Sequence, residues 1–142
     1  MNITDENKIS YSVIDGSDKM DAIEVMALLA QTYWANTRPL GQVKCSMDNS
    51  RCYGVRLCDS QKLVGFARVI SDFATTYYLC DVVVDETYRG MGLGEALVSY
   101  IESLDEYKGL RGVLITRDAH SLYEKFGYQT LNGRAMVKGL NC

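Results

Sequence analysis

The stretch DVVVDETYRGMGLGEALVSYIESL, residues Asp81–Leu104, runs from an apolar strand end through alternate glycines into an amphipathic helix. Upstream, YYLCDVVV (Tyr77–Val84) has the β-branched and aromatic content of a buried strand. Downstream, Leu93, Ala96, Leu97, Tyr100, Ile101 and Leu104 recur at helical spacing. Between them Gly90, Gly92 and Gly94 follow Arg89. Alternate glycines carry an entropic cost that close approach of a ligand to the backbone would offset. A helix N-terminus offers unpaired N–H groups and about half a positive charge. Arg89 adds a permanent cation, so strand, loop and helix form a phosphate cradle. The plainer reading is a turn whose glycines only supply positive φ.

Working outward, ISYSVI (Ile9–Ile14) reads as a first strand. Met20–Trp34 reads as a helix with an apolar stripe at Ile23, Met26 and Ala30. Arg38-Pro39-Leu40-Gly41 breaks it, and a short helix follows to Met47. RCYGVRLC (Arg51–Cys58) and KLVGFARVI (Lys62–Ile70) flank a hairpin turn, and SDFATT leads into Tyr77–Val84. GVLIT (Gly112–Thr116) is a short buried strand. A helix over Ala119–Lys125, N-capped by Asp118, stops at Gly127, and YQTL with RAMVKGL closes the chain as a strand pair. The order β-α-α-β-β-β-α-β-α-β-β implies one α/β domain of the α+β type over residues 1–142, its mixed sheet mostly antiparallel, with helices on both faces.

The 142 residues, 47% hydrophobic and 23% charged, suit a single globular domain. A net charge of −3 with scattered basic residues disfavours nucleic acid, and no apolar run is long enough for a membrane span. The acidic start MNITDENKIS is unlike a secretory leader. Cys45, Cys52, Cys58, Cys80 and Cys142 form no CxxC pair, and His120 is the single histidine. They read as reduced thiols of a cytoplasmic protein, mostly small core residues, with no metal site.

The Walker pattern GxxxxGK[ST] is absent, and Leu97 stands where a dinucleotide fingerprint needs its third glycine. Arg89-x-x-Gly92-x-Gly94 after DVVVDETY resembles the acyl-CoA loop of the GNAT superfamily of N-acyltransferases, and SLYEKFGY (Ser121–Tyr128) resembles that family's late helix. The strand order agrees, so the likeness covers nearly the whole chain. It implies acetyl-CoA as acyl donor, without a metal. The pantetheine arm would lie along Val82, Val83 and Val84. The pyrophosphate would sit on Arg89, Gly90, Met91, Gly92, Leu93, Gly94 and Glu95. A family asparagine that touches the pantetheine is Thr116 here. The resemblance also favours a homodimer.

Acetyl transfer to an alkyl amine must remove a proton at a cost of about 4.6 kcal/mol at pH 7, and must ease out a thiolate. By resemblance Tyr123 donates to the departing sulfur; on periodicity alone it is a core tyrosine beside Leu122 and Phe126. Asp81, a carboxylate in an apolar strand, is the candidate base. The hairpin count also brings it within about one position of Arg68, which would make an ion pair instead. His120 reads as a surface residue. The acceptor, a small-molecule or protein amine, falls by resemblance near TYWANTRPLG, where Tyr33, Trp34 and Arg38 are the candidate contacts. The first expectation is direct transfer in a ternary complex; the alternative is a non-catalytic acyl-CoA sensor, and a nucleotide-binding module stands third.

Overall fold

A computed structural model describes residues 9–139. Five strands form one sheet in chain order: β1 (Tyr11–Asp15), β2 (Arg51–Leu57), β3 (Leu63–Ser71), β4 (Thr76–Val84) and β5 (Arg111–Val113). The first four are antiparallel, and β5 joins β4 in parallel. Helices α1 (Ala22–Leu29) and α2 (Leu40–Asp48) precede β2; α3 (Leu93–Glu102) follows β4, and α4 (His120–Glu124) follows β5.

Leu93, Leu97, Val98 and Ile101 of α3 bury against Tyr53, Val55, Val64, Val69 and Leu79, with Tyr123 of α4 in the same cluster. On the other face, Val25, Leu28 and Leu29 of α1 and Val43 and Met47 of α2 pack on Cys52, Leu63, Phe66 and Val83. Helices thus cover both faces, and β2 and β3 read as near-continuous apolar runs because both of their faces are buried.

Several expectations are corrected. Helix α1 is shorter than Met20–Trp34 and starts at an Asp21–Glu24 capping box. Its buried side is Val25, Leu28 and Leu29, while Ile23 is 58% exposed; the stripe was set one position out of phase. Asp118 does not cap α4: Thr116 Oγ1 accepts the Ala119 N–H, and α4 has Ala119 at its N-cap. Of the four described cysteines only Cys52 is buried, and all are free thiols. The closing strand pair does not form among the described residues: 129–139 is exposed throughout, so its apolar positions have no sheet face to cover. The turn at Asn132–Arg134 exists, but its flanks do not pair.

The β3–β4 register slips once. Arg68 faces Cys80 and Phe66 faces Val83, so Asp81 and Val82 together oppose Ala67. Asp81 takes φ 55, left-handed for a residue with a side chain. On the α3 side lie Tyr77, Leu79, Val82 and Val84; on the α1–α2 side lies Val83, and Asp81 joins that side through its partners there. The bulge is what turns Asp81 towards the first two helices.

Gly112 of β5 lies under two hydroxyls that share a carboxylate: Tyr77 and Tyr128 donate to Glu102 at 2.6 and 2.8 Å. A Cβ there would sit 2.7 Å from Tyr128 Oη and 2.8 Å from the Tyr77 ring end. Gly112→Ala should therefore cost about 1–3 kcal/mol by overpacking, read as a lower denaturant midpoint with unchanged slope.

Candidate functional site

Strands β4 and β5 pair only over Thr76–Tyr78 and Arg111–Val113. Beyond Tyr78 they part, and the β5 side of Leu79–Val84 has no strand neighbour among the described residues. The open edge ends at the glycine loop. Asp85 starts that loop by accepting the Thr87 N–H at 2.9 Å. Gln31, just after α1, accepts the Glu86 N–H at 2.9 Å and ties the loop to the first helix. Arg89 turns back to donate Nε to the Val84 carbonyl at 3.0 Å.

Gly90 and Gly92 take φ 77 and 82, so positive φ accounts for both. Gly92 is the N-cap of α3. A Cβ at either would meet nothing within 4 Å, so the space over them is open. Gly94 is helical and its Cβ would make an ordinary 3.5 Å contact with Val84, so neither φ nor packing demands glycine there. The first helical bond is Ala96 N–H to Gly92 C=O, which leaves the Leu93, Gly94 and Glu95 amides without a protein acceptor among the described residues. Met91 is exposed, and Lys125 holds Glu95 at 3.3 Å. A diphosphate suits this loop: its amides are free, its space is open, and Arg89 is at hand.

Tyr123 is 8% exposed. It packs in the cluster whose margin includes Val82 and Val84. Burial, with a lesser effect of Asp118, pushes its phenol up to about 12. Its hydroxyl is the one polar atom of the side chain, and no described residue hydrogen-bonds to it; nor is it sealed from solvent. Tyr123, Thr116 and exposed His120 line a cavity of about 580 Å³ between β5, α4 and the chain beyond. None of Arg89–Glu95 reaches that cavity, so it is distinct from the loop.

Asp81 is 6% exposed and meets three donors. The Arg68 contact is present, Nε to Oδ2 at 2.9 Å. Arg38 Nη1 reaches the same oxygen at 2.7 Å, and Trp34 Nε1 donates to Oδ1 at 3.0 Å. Burial works to raise the Asp81 pKa, but the Arg38 hydrogen bond and the two positive charges outweigh it and hold the carboxyl below its usual range. Two of the expected acceptor residues, Trp34 and Arg38, therefore meet at Asp81. Tyr33 does not: it is exposed, edge-on to Trp34, with the Arg117 guanidinium 3.9 Å over its ring. Cys80 lies opposite Arg68, and burial pushes its thiol up to about 12.

Sequence reasoning missed Gln31, Asp85 and Arg117. Asp85 had a signal, since an aspartate two residues before a turn amide makes an Asx turn. Gln31 and Arg117 had none, because their contacts span 55 and 84 positions of chain. Among the described residues no helix is long and apolar enough to cross a membrane, and no group of His, Cys, Asp and Glu is set to hold a metal.

Comparison with known proteins agrees with this fold. A protein from Xanthomonas campestris pv. campestris placed in the GNAT family superposes with a TM-score of 0.81 at 35% identity, over 88% of each chain. An uncharacterized N-acetyltransferase, ycf52-like, from Prochlorococcus marinus is 34% identical over 77% of this chain and 63% of its own length. Histone acetyltransferase TAP1 of Glycine max is 24% identical over 87% of this chain and 58% of its own. The chain thus spans about three fifths of these curated relatives. The model of the acetyltransferase (GNAT) domain matches residues 48–130, and the chain belongs to that family.

Proposed function

We propose that this protein transfers an acetyl group directly from acetyl-CoA to a primary amine. One observation carries the reading: β4 parts from β5 and leaves the Val82–Val84 edge open beside a helix N-terminus with free amides. The loop Arg89–Glu95 would hold the pyrophosphate. The open edge over Val82, Val83 and Val84 would hydrogen-bond the pantetheine amides as an added strand does, through Val82 and the Val84 N–H, since Val83 pairs with Phe66 of β3 and Arg89 holds the Val84 carbonyl. The donor supplies a thioester; the chain supplies its position and a hydrogen bond to the sulfur that leaves.

Tyr123 is the residue for that hydrogen bond. At about 12 its phenol is a weaker acid than a thiol of about 8.5, by roughly 5 kcal/mol, so it stabilises the developing thiolate without surrendering its proton fully. Asp81, held ionised by two guanidiniums, is ill-suited to take a proton from an ammonium at neutral pH. The amine therefore arrives neutral or loses its proton to water, and Asp81 acts as the pin that fixes Trp34, Arg38 and Arg68. Direct transfer fits better than an acyl-cysteine route, because Cys80 stays a thiol at neutral pH. The sensor reading would leave the free Tyr123 hydroxyl without a use.

The test is a thermal shift with CoA alongside an acetyl-CoA turnover screen over amines. Gly92→Val places a branched side chain at φ 82, over the loop. CoA should stabilise the parent by about 2.7 kcal/mol at a hundredfold its Kd, and the variant hardly at all. Equal stabilisation of both, with both folded, removes the loop assignment.

A further inference from the structure

The Asp81 cluster is unbalanced. Arg38 comes from the α1–α2 connection and Arg68 from β3, and both contact the same carboxylate oxygen. A guanidinium has five N–H donors. Each arginine uses one nitrogen here, Nη1 of Arg38 and Nε of Arg68, and the rest meet no acceptor among the described residues. No shut-off side-chain nitrogen lacks a partner, so the remaining groups open to solvent, although the two side chains are only 24% and 12% exposed. Neither arginine has a second carboxylate within ion-pair distance among the described residues. Two largely buried cations therefore share one anion, a costly arrangement for structure alone. A third cation is linked to this pair through two rings: Arg117 stacks on Tyr33, Tyr33 meets Trp34 edge-on at 5.1 Å, and Trp34 donates to Asp81.

We propose that Arg38 and Arg68, with Arg117 linked to them through Tyr33 and Trp34, bind an acidic group on the acceptor, so that the substrate is a small amine that also bears a carboxylate or a phosphate. The proposal rests on the acyl-transfer reading for the role of that amine. Guanidinium forks match the paired oxygens of both acids. Asp81 sets the two forks and keeps them from repelling each other before the acid arrives. The small exposure of Arg68 favours a free small molecule over a lysine on a protein surface.

Calorimetry on the whole protein tests this with CoA saturating, so that the glycine loop is filled. Phosphoethanolamine is compared with ethanolamine, and β-alanine with β-alaninamide. The acidic member of at least one pair should bind about 10- to 100-fold more tightly in the parent, as charged hydrogen bonds allow. The pair that discriminates more tells a phosphorylated amine from an amino acid. Arg38→Gln leaves Asp81 and Arg68 as a one-to-one pair and should remain folded; it should bring the ratio close to one. Arg117→Gln should lower it less. No discrimination in either pair, or discrimination that survives Arg38→Gln, overturns the proposal. Failure of CoA to bind strikes the acyl-transfer reading alone, because the anion ratio and its loss in Arg38→Gln are measured without CoA as well.

Discussion

Asp81→Asn should lower stability by about 3 kcal/mol, a fall of roughly 10 °C in melting temperature for a domain of this size. Asparagine tolerates the left-handed backbone at φ 55, so the change isolates the charge. Arg38 and Arg68 would then face each other with no anion between them. The estimate sits at the low end of the range for broken buried pairs because Arg38 is 24% exposed. The pH dependence has a fixed sign. The Asp81 pKa is lower folded than its ordinary 3.8, so its contribution is complete above that value and fades as pH falls through it towards the folded pKa. The gap between parent and variant should be full at pH 6 and narrow below about pH 4. Chemical denaturation across that range reads it directly. A variant as stable as the parent, fully folded and inactive, would instead make Asp81 the base that activates the amine.

Tyr123→Phe should lower turnover by about 10²–10³-fold, the usual cost of one well-placed donor to a developing anion. Stability should barely change. The hydroxyl has no hydrogen-bond partner among the described residues, so its removal orphans none of them, and the ring keeps its place beside Tyr128. CoA affinity should hold, because the loop proposed for the diphosphate leads into α3 and not α4. The measurement is single-turnover acetyl transfer, where release of product cannot mask the chemical step. An unchanged single-turnover rate returns Tyr123 to the core, as periodicity alone had it.

What could be read from the chain followed from how local each signal was. Strands β2, β3 and β4 carry their own apolar runs, and the loop with α3 carries both glycines and helical spacing, so their order was plain. Helix α1 was misread in phase because its stripe competes with apolar residues all round, and only the sheet decides which side is buried. The closing strands were misread because strand propensity counts for little without a neighbour to pair with. At the site, the Arg68–Asp81 contact came from counting across a hairpin. The Arg38 and Trp34 contacts did not, since they join positions 43 and 47 residues apart through a helix connection that no spacing rule describes.

The left-handed residue in β4 can be viewed as a single insertion. With Asp81 deleted, Val82 alone would oppose Ala67, and Tyr77, Leu79, Val82, Val83 and Val84 would all keep their present faces. The shortened strand would be more regular and free of a left-handed backbone, at the cost of leaving Arg38 and Arg68 without their anion. One residue therefore separates a plain structural strand from one that gathers two arginines and a tryptophan around a carboxylate. A lineage could gain or lose that cluster in a single codon step while the glycine loop stayed intact. Chains that keep the glycine loop but lack this arginine cluster would then differ from this one first in the length of β4.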